Sequence, residues 1–299
     1  MAEDFKKYLL PETVSQLAGL DLIARLVVEG FITGLHRSPY HGFSVEFSEY
    51  RPYMSGDPLK HIDWKVLART ERYYVKRFEE ETNLKSYILL DASGSMGYSS
   101  DKITKFQYAC YLSAALAYLM LMQRDAVGLV TFSEKLLTYL PPRSVMSYLN
   151  LILKEIDSTK TGGRTGIAGT FHDLAERIKR RGLVIILSDL MDDPDSVLSA
   201  LKHFRHRKHE VIVFHILDPL ERTLNFNRDT EFIDLETGER LQTQPWQIRE
   251  TYRLLMDTFQ DRFKKECRQH RIDYVMMDTS QAFDRALFNY LAFRKRLGG

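Results

Sequence analysis

One carboxylate and two hydroxyls stand at alternate positions directly after an apolar stretch of this sequence: Asp91, Ser93 and Ser95 follow residues 87–90. A short apolar run that ends on a carboxylate is typical of a buried parallel strand, and open α/β sheets bind ligands at the loops that follow such strands. Hard divalent cations prefer oxygen ligands of this kind. The spacing therefore indicates an Mg²⁺ (or Mn²⁺) site, although a Ser- and Gly-rich turn that caps the next helix would contain the same residues.

Two further segments could supply oxygens to the same place. Residues 186–189 are again an apolar run that ends on a carboxylate, Asp189, and the loop 161–166 carries hydroxyls in a Gly-rich turn before a helix. Two carboxylates about 5 Å apart repel by roughly 3 kcal/mol at an effective dielectric of 20, so their convergence makes sense mainly with a cation between them. Three separate segments thus predict one cation site.

The elements that must position these residues alternate along the chain from residue 85 onward. The apolar pattern predicts strands at 86–90, 126–132, 136–140, 183–187, 211–217 and 272–277, the third of them stopped by Pro141-Pro142. Helices are predicted at 102–123, 144–156, 166–179, 195–207, 246–269 and 283–297. This rhythm predicts an α/β fold with a doubly wound, mainly parallel six-stranded sheet that is covered by helices on both faces.

Two segments depart from this rhythm. Around Glu236-Thr237-Gly238-Glu239 the sequence indicates a β-hairpin inserted at about 223–244. Before residue 85, an amphipathic helix is predicted from about Pro11 to Phe31, ending near Gly30 or Gly34, followed by short strands and turns in the aromatic and charged stretch 36–82. We therefore divide the chain into an amino-terminal extension, 1–84, which we expect to pack on the main domain through a salt-bridged network, and a main domain, 85–299.

Composition excludes several classes of protein. The formal charge of +2 over 299 residues gives no reason to expect nucleic acid as a partner. Cys110 and Cys267 both fall in helical stretches, which favours reduced thiols inside a cell. The apolar piece 109–122 is shorter than the roughly 18 residues that a membrane span needs, and we find no secretory signal. We therefore expect a soluble, cytoplasmic protein.

The spacing of the oxygen-bearing residues resembles the metal-ion-dependent adhesion site of von Willebrand factor A domains. Asp91, Ser93 and Ser95, then Thr165 after a Gly-Gly turn, then Asp189 after an apolar strand, match the five residues of that site in order. The resemblance implies that the hydroxyls approach the ion directly and that the carboxylates do so directly or through water. Thr161 and Thr170 are alternatives to Thr165, and Asp192 and Asp193 are alternatives to Asp189.

The stretch before the first predicted strand makes the resemblance more specific. It resembles the domain of unknown function 58 family through Gly42, Glu46-Phe47, Arg51, Tyr53, Gly56-Asp57, Ile62-Asp63-Trp64, Ala68-Arg69 and Val75-Lys76. Members look like a von Willebrand A domain with an amino-terminal extension, and many are encoded beside AAA+ ATPases of the MoxR type. This sequence departs from the family at Lys60, where Arg is more common, and in having none of the hydrophobic segments that many members carry at the amino terminus.

The function implied is a metal-ion-dependent protein-interaction module without enzymatic activity, an adaptor for a MoxR-type ATPase, with a partner's acidic residue completing the cation's ligands. The alternative is a phosphoesterase-like hydrolase that uses the same cation to activate water. Such hydrolases need more carboxylates or histidines than two Asp and three hydroxyls provide. His172 is the nearest candidate base, but its position one turn into a helix favours a surface or packing role.

Overall fold

The computed structural model describes residues 10–11, 19–36, 50–52, 74–76, 85–163 and 166–297. Ten strands lie in these ranges: β1 Tyr50–Pro52, β2 Tyr74–Lys76, β3 Lys85–Asp91, β4 Ala126–Phe132, β5 Leu136–Arg143, β6 Leu183–Ser188, β7 Glu210–Leu217, β8 Thr230–Ile233, β9 Arg240–Thr243 and β10 Asp273–Asp278. The helices of the same ranges are α1 Leu20–His36, α2 Lys105–Met122, α3 Tyr148–Ser158, α4 Ile167–Arg177, α5 Pro194–His206, α6 Pro219–Thr223, α7 Pro245–Gln269 and α8 Asp284–Leu297.

The central sheet has the strand order β10-β7-β6-β3-β4-β5. Neighbouring strands of this sheet are parallel to each other, except for β4 and β5, which are antiparallel. β4 and β5 follow β3 in the chain and lie on one side of it, with β5 at the edge. The chain then crosses to the other side of β3, where β6, β7 and β10 follow in order toward the opposite edge. The predicted doubly wound, mainly parallel fold is therefore confirmed, and its strand order reverses between β3 and β6.

Each face of the sheet has its own core, because successive side chains of a strand point to opposite faces. Ile88 and Leu90 of β3 belong to the core under α1, α2, α3 and α8. Leu89, the residue between them, belongs to the core under α4, α5 and α7. Because of this two-sided coverage, β4 and β6 are buried along their whole lengths, and β3 is buried from Ser86 to Asp91.

The edge strand β5 differs from the prediction. Pro141 and Pro142 do not stop it, and it continues to Arg143. Proline lacks an N–H donor, but an edge strand pairs on one side only, so a proline there need not remove a ladder bond. The prediction that Pro141-Pro142 ends the strand was wrong for this reason.

The helix of the amino-terminal extension differs at both ends from the predicted span of about Pro11 to Phe31. It begins at Leu20, because Gly19 has a φ of +87°, which a right-handed helix does not contain. It reaches His36, past both Gly30 and Gly34, and it packs against α2 with Ile23, Val27 and Phe31 buried. A Gly inside a helix costs about 1 kcal/mol relative to Ala, less than the burial of these side chains contributes. Most of 37–84, including the predicted salt-bridged network, lies outside the described residues, so the packing of the whole extension stays a prediction.

The inserted hairpin is formed by β8 and β9, which pair antiparallel within the predicted 223–244 segment. Both cysteines are free thiols, buried in α2 and α7. None of the helices in the described ranges combines the length and the apolar composition that crossing a membrane would require.

Candidate functional site

The predicted cation ligands lie where the strand order of the sheet reverses. Asp91 is the last residue of β3, and Asp189 follows the last residue of the adjacent strand β6. Crevices at such reversals, beyond the carboxyl ends of the strands, are the usual ligand sites of open α/β sheets. The sheet therefore brings together two carboxylates that are 98 positions apart in the sequence.

Asp91 is fully buried and tightly held. Its Oδ1 accepts a hydrogen bond from the Ser93 backbone N–H at 2.9 Å, and its Oδ2 accepts one from the Ser188 hydroxyl at 2.5 Å. Burial and the nearby charge of Asp189 raise the pKa of Asp91 to about 7, although the bonds from Ser188 and Ser93 act in the opposite direction. A carboxylate with such a pKa lacks a compensating positive charge.

The two serine hydroxyls lie side by side above this carboxylate. Ser93 Oγ and Ser95 Oγ are 3.1 Å apart, Ser93 is buried and Ser95 is half-buried. The backbone turns sharply here into a short 3₁₀ helix, Ser95–Gly97, which brings the alternate serines to one side. Oxygens on neighbouring corners of an Mg²⁺ octahedron lie about 3 Å apart, given metal–oxygen bonds of 2.0–2.1 Å. The separation of the two hydroxyls fits such a cation.

Asp189 is held by a buried cation of the protein itself. Its Oδ2 forms an ion pair at 2.7 Å with the ammonium of Lys105, which also pairs with Glu221 Oε1 at 2.6 Å. Both Lys105 and Asp189 have fully buried side chains. Burial lowers the pKa of Lys105, but the two carboxylates outweigh it and raise that pKa above its ordinary value, so Lys105 carries a positive charge.

His215 supports the backbone at Asp189 from below. Its Nε2 lies 2.8 Å from the Asp189 carbonyl oxygen, and its Nδ1 lies 2.5 Å from the Tyr274 hydroxyl. Because a carbonyl can only accept, Nε2 carries the hydrogen and Nδ1 accepts from Tyr274. Burial lowers the pKa of His215 to about 4, so the ring is neutral. His215 thus positions the strand end that carries Asp189.

The loop predicted to bring a threonine does reach the site, but Thr165 itself lies outside the described residues. The Gly162 N–H donates to the Ala92 carbonyl at 2.9 Å, and the Gly94 N–H donates to the Gly163 carbonyl at 3.2 Å. These two bonds join the loop to the segment 91–97, which we call the motif loop.

The alternative threonines have different surroundings. Thr170 is buried in α4, and its hydroxyl donates to the Glu134 carbonyl at 3.3 Å. Thr161 lies beside the motif loop, its Oγ1 3.4 Å from where a Cβ on Gly97 would stand. Of these two, Thr161 is the one next to the serines.

The alternatives to Asp189 serve as helix caps. Asp192 Oδ2 accepts from the Ile167 N–H at 3.0 Å, at the start of α4. Asp193 Oδ2 accepts from the Ser196 N–H at 2.9 Å and is the N-cap of α5. Asp189, in contrast, is buried and lies close enough to Asp91 to raise its pKa. Of Asp189, Asp192 and Asp193, Asp189 is thus the residue that lies close to Asp91.

A further cation would balance the charges of the site if its carboxylates are ionised. In that state Asp91, Asp189 and Glu221 contribute three negative charges and Lys105 contributes one positive charge, which leaves a surplus of two. Burial opposes the ionised form, because it raises the pKa of both Asp91 and Glu221. Asp91 has no ion-pair partner within the described ranges. No three His, Cys, Asp or Glu side chains there form a metal-binding group, so a cation would depend on the hydroxyls for much of its coordination. The donor set, with two hydroxyls and a surplus of two charges, fits a hard divalent cation.

Lys105, Glu221, Ser188 and His215 were missed by sequence reasoning. The sequence does contain a pattern that points to Glu221. β7 is another apolar strand followed by a carboxylate, Asp218, and Glu221 lies three residues beyond Asp218. Lys105 gave little signal, because a lysine at the start of a helix is usually solvated. Its contacts are with residues 84 and 116 positions away.

Similar proteins were found by sequence and by structure. The chain is 26% identical over 231 residues to the uncharacterized protein Rv1480 of Mycobacterium tuberculosis, covering 76% of this chain and 72% of that protein, with the same values for the uncharacterized protein Mb1516 of Mycobacterium bovis. The conserved hypothetical protein BatB from Bacteroides thetaiotaomicron is a structural neighbour, with a TM-score of 0.48, 17% identity and coverage of 70% of this chain and 98% of that chain. The SpRpn10 VWA domain is another, with a TM-score of 0.38, 14% identity and coverage of 69% and 94%.

The family model described as "Protein of unknown function DUF58" matches residues 49–262. This range is more than two thirds of the chain and contains both strand ends of the site, the motif loop, Lys105 and the hairpin. The chain therefore belongs to the DUF58 family.

Proposed function

We propose that this protein is a metal-ion-dependent protein-interaction module whose ligand face is the motif loop and the adjoining end of β6. The observation that carries the proposal is the pair of neighbouring hydroxyls, Ser93 and Ser95, beside the buried carboxylate of Asp91, to which Asp189 is close. The residues that would hold Mg²⁺ or Mn²⁺ are Asp91, Ser93, Ser95 and Asp189, with a threonine of the loop 161–165.

The cation would supply an electrophilic centre that accepts an acidic group from outside the domain. Asp91 and Asp189 hold the charge at the floor of the site, and the serines present neutral oxygens at its mouth. A bound Mg²⁺ would keep exchangeable water at the positions that the protein does not fill, and an acidic side chain from outside the domain would displace that water. The partner is therefore a protein that offers an exposed Asp or Glu, and the family resemblance points to a MoxR-type AAA+ ATPase or its client.

A hydrolase would use the same cation to activate water, and it would need a base near the serines. His215 is engaged on both ring nitrogens, by Tyr274 and by the Asp189 carbonyl. His172 lies in α4, and its Nδ1 is 2.9 Å from Nδ1 of His203 in α5. Neither histidine supports hydrolysis, and we therefore propose a role without enzymatic activity.

The first experiment measures cation binding through stability. A ligand that binds only the native state stabilises it by about 2.7 kcal/mol at a hundredfold excess over its Kd, so Mg²⁺ should raise the melting temperature of the wild-type protein. Asp91→Asn, which keeps the size of the side chain, and Ser93→Ala should both reduce that rise. Asp192→Ala is the matched control, because it removes a carboxylate that caps α4 and should keep the full response to Mg²⁺.

The second experiment measures partner capture at constant ionic strength. EDTA should abolish capture of a MoxR-type ATPase by the wild-type protein, because the bridge through a cation requires the cation, whereas an ordinary charged interface responds only to salt. The proposal would be contradicted if Mg²⁺ changed the melting temperature of neither the wild-type protein nor the variants, and if EDTA left the capture of the ATPase undiminished.

A further inference from the structure

A cavity of about 620 Å³ lies at the amino ends of β7 and β10. Glu210, the first residue of β7, and Asp273, the first residue of β10, line it together with side chains from α5 and from the end of α7. The cation ligands proposed above lie at the carboxyl ends of the strands, and at about 3.3 Å per residue the length of a strand separates the two places by roughly 20 Å. The cavity is therefore a separate place, and its volume is in the range of pockets that bind small molecules.

The charged side chains that line the cavity carry more positive than negative charge. Four are cations and two are carboxylates: Arg205, Lys264, Arg268 and Arg271 against Glu210 and Asp273. Of the carboxylates, Glu210 pairs with Arg205 at 2.5 Å and with Arg181 at 3.2 Å. In the described ranges, the side chains of Lys264, Arg268 and Arg271 take part in neither an ion pair nor a hydrogen bond. The cavity thus offers three cations to a ligand.

The end of α7 brings these three cations together. Lys264 and Arg268 are four residues apart in the helix, which places them on one face, where like charges repel each other. The Arg271 N–H donates to the Arg268 carbonyl at 3.2 Å, and the Ile272 N–H donates to the Cys267 carbonyl at 2.8 Å. These two bonds form a Schellman motif, which places Arg271 at the left-handed position that closes the helix.

The backbone at Arg271 is unfavourable for an arginine. Its φ is +56°, and glycine is the usual residue at this position because a Cβ is strained there. The helix dipole favours cations in the last turn, which accounts for Lys264 and Arg268 without a ligand. It does not account for a strained arginine beyond the helix that lines the same cavity. A role for Arg271 in binding an anion would explain the residue at this position.

The remaining lining of the cavity is less polar. Ile272 and Phe293 are buried, and the Tyr274 hydroxyl is bonded to His215 Nδ1 at 2.5 Å, which leaves its ring as part of the wall. A ligand would therefore meet both cations and apolar groups. Guanidinium groups bind phosphate through two parallel hydrogen bonds, which makes arginine the favoured residue for this group.

We propose that this cavity binds a small phosphorylated molecule of about the size of a mononucleotide, with Lys264, Arg268 and Arg271 contacting its phosphate groups. Arg205 is a wall of the site and not a ligand, because its guanidinium already donates to Glu210 and to the His209 carbonyl. This site does not depend on the cation site at the motif loop, so either can exist without the other.

The test measures binding of ADP and of inorganic pyrophosphate by calorimetry. Metal ions are first removed with a chelating resin, so that neither probe can bind through a cation at the motif loop. Both probes should bind the wild-type protein, and Lys264→Gln, Arg268→Gln and Arg271→Gln should each weaken binding about tenfold, as expected for the loss of a charge-assisted hydrogen bond. Lys265→Gln is the matched control, because it removes the same charge from the neighbouring exposed position of α7, outside the lining of the cavity, and should bind as the wild-type protein does.

Hydrogen exchange locates the bound probe. ADP should slow exchange of the amides of residues 268–274 in the wild-type protein and in Lys265→Gln. Tighter binding of ADP than of pyrophosphate would assign the apolar lining to the rest of the ligand, and equal binding would assign the site to the phosphate groups alone. The proposal is overturned if neither probe binds the wild-type protein at millimolar concentration, or if Lys265→Gln weakens binding as much as Lys264→Gln, since binding would then be a general attraction to a basic surface.

Discussion

At the scale of single residues, Lys105 distinguishes this site from a simple cluster of oxygens. Its ammonium lies between Asp189 and Glu221, at 2.7 and 2.6 Å, and its side chain has no exposed surface. It neutralises part of the charge permanently and ties the end of β6 to α6 through the start of α2. Lys105 can therefore keep Asp189 in place without any bound metal ion.

Lys105→Met should destabilise the protein by about 3–5 kcal/mol, because it leaves the buried carboxylate of Asp189 and the half-buried carboxylate of Glu221 without their positively charged partner. Urea unfolding in EDTA measures this loss, and Lys154→Met, at an exposed position of α3, should change stability by less than about 0.5 kcal/mol. The double variant Lys105→Met/Glu221→Gln should lose less than the sum of its single variants. Equal stability of Lys105→Met and Lys154→Met would show that these ion pairs do not support the fold.

The residues of this site differ in how well the sequence predicts them. Asp91 and Asp189 could be predicted because each ends an apolar run, and parallel strands bring their carboxyl ends to one edge. The charge balance could not be predicted, because the contacts of Lys105 depend on where α2 and α6 begin relative to the sheet. A local pattern carries no information on such distances.

At the scale of elements, the turn between β8 and β9 contacts the motif loop, and this contact depends on the absence of a side chain at position 94. A Cβ on Gly94 would lie 3.0 Å from the Leu235 carbonyl oxygen and 3.1 Å from Glu236 Cγ. Gly94 has φ −59° and ψ −39°, which any residue can adopt, so the requirement for Gly comes from contacts and not from backbone conformation. The hairpin itself could be predicted from its turn sequence. The contact of its turn with the motif loop could not be predicted, because a turn sequence determines the local backbone and not what the turn packs against.

Gly94→Ala should destabilise the protein by about 1–3 kcal/mol, as overpacking typically does, and should speed hydrogen exchange in residues 234–238. Gly169→Ala is the matched control in α4, since a Cβ there meets nothing within 4 Å. It should stabilise the protein by about 0.5–1 kcal/mol through helix propensity. Unchanged exchange in the hairpin of Gly94→Ala would contradict the close contact.

At the scale of the whole molecule, α1 belongs to the same core as the strand that carries Asp91. Ile23, Val27 and Phe31 of this helix are in one cluster with Ile88 and Leu90 of β3. The amphipathic pattern predicted that a helix exists here. It could not predict that two glycines would be tolerated inside it, because that depends on how much of its surface α2 covers.

Phe31→Ala should lower the free energy of unfolding by about 3–5 kcal/mol, as loss of a buried Phe side chain does. The loss should appear as one cooperative transition of the main domain, because α1 and β3 share a core. Leu22→Ala, at a position of the same helix that is 40% exposed, should have a much smaller effect. A separate early transition for Phe31→Ala, with the main domain unchanged, would show that α1 is energetically independent of the sheet.

The prolines of β5 affect more than the length of that strand. Pro141 and Pro142 have no N–H groups to offer on the outer edge of the sheet, and the Pro141 carbonyl accepts a hydrogen bond from the Tyr148 hydroxyl at 2.7 Å. A strand from another molecule would find no N–H donor at these two residues and would find the Pro141 carbonyl already hydrogen-bonded. The two prolines therefore hinder the pairing of another chain with this part of β5.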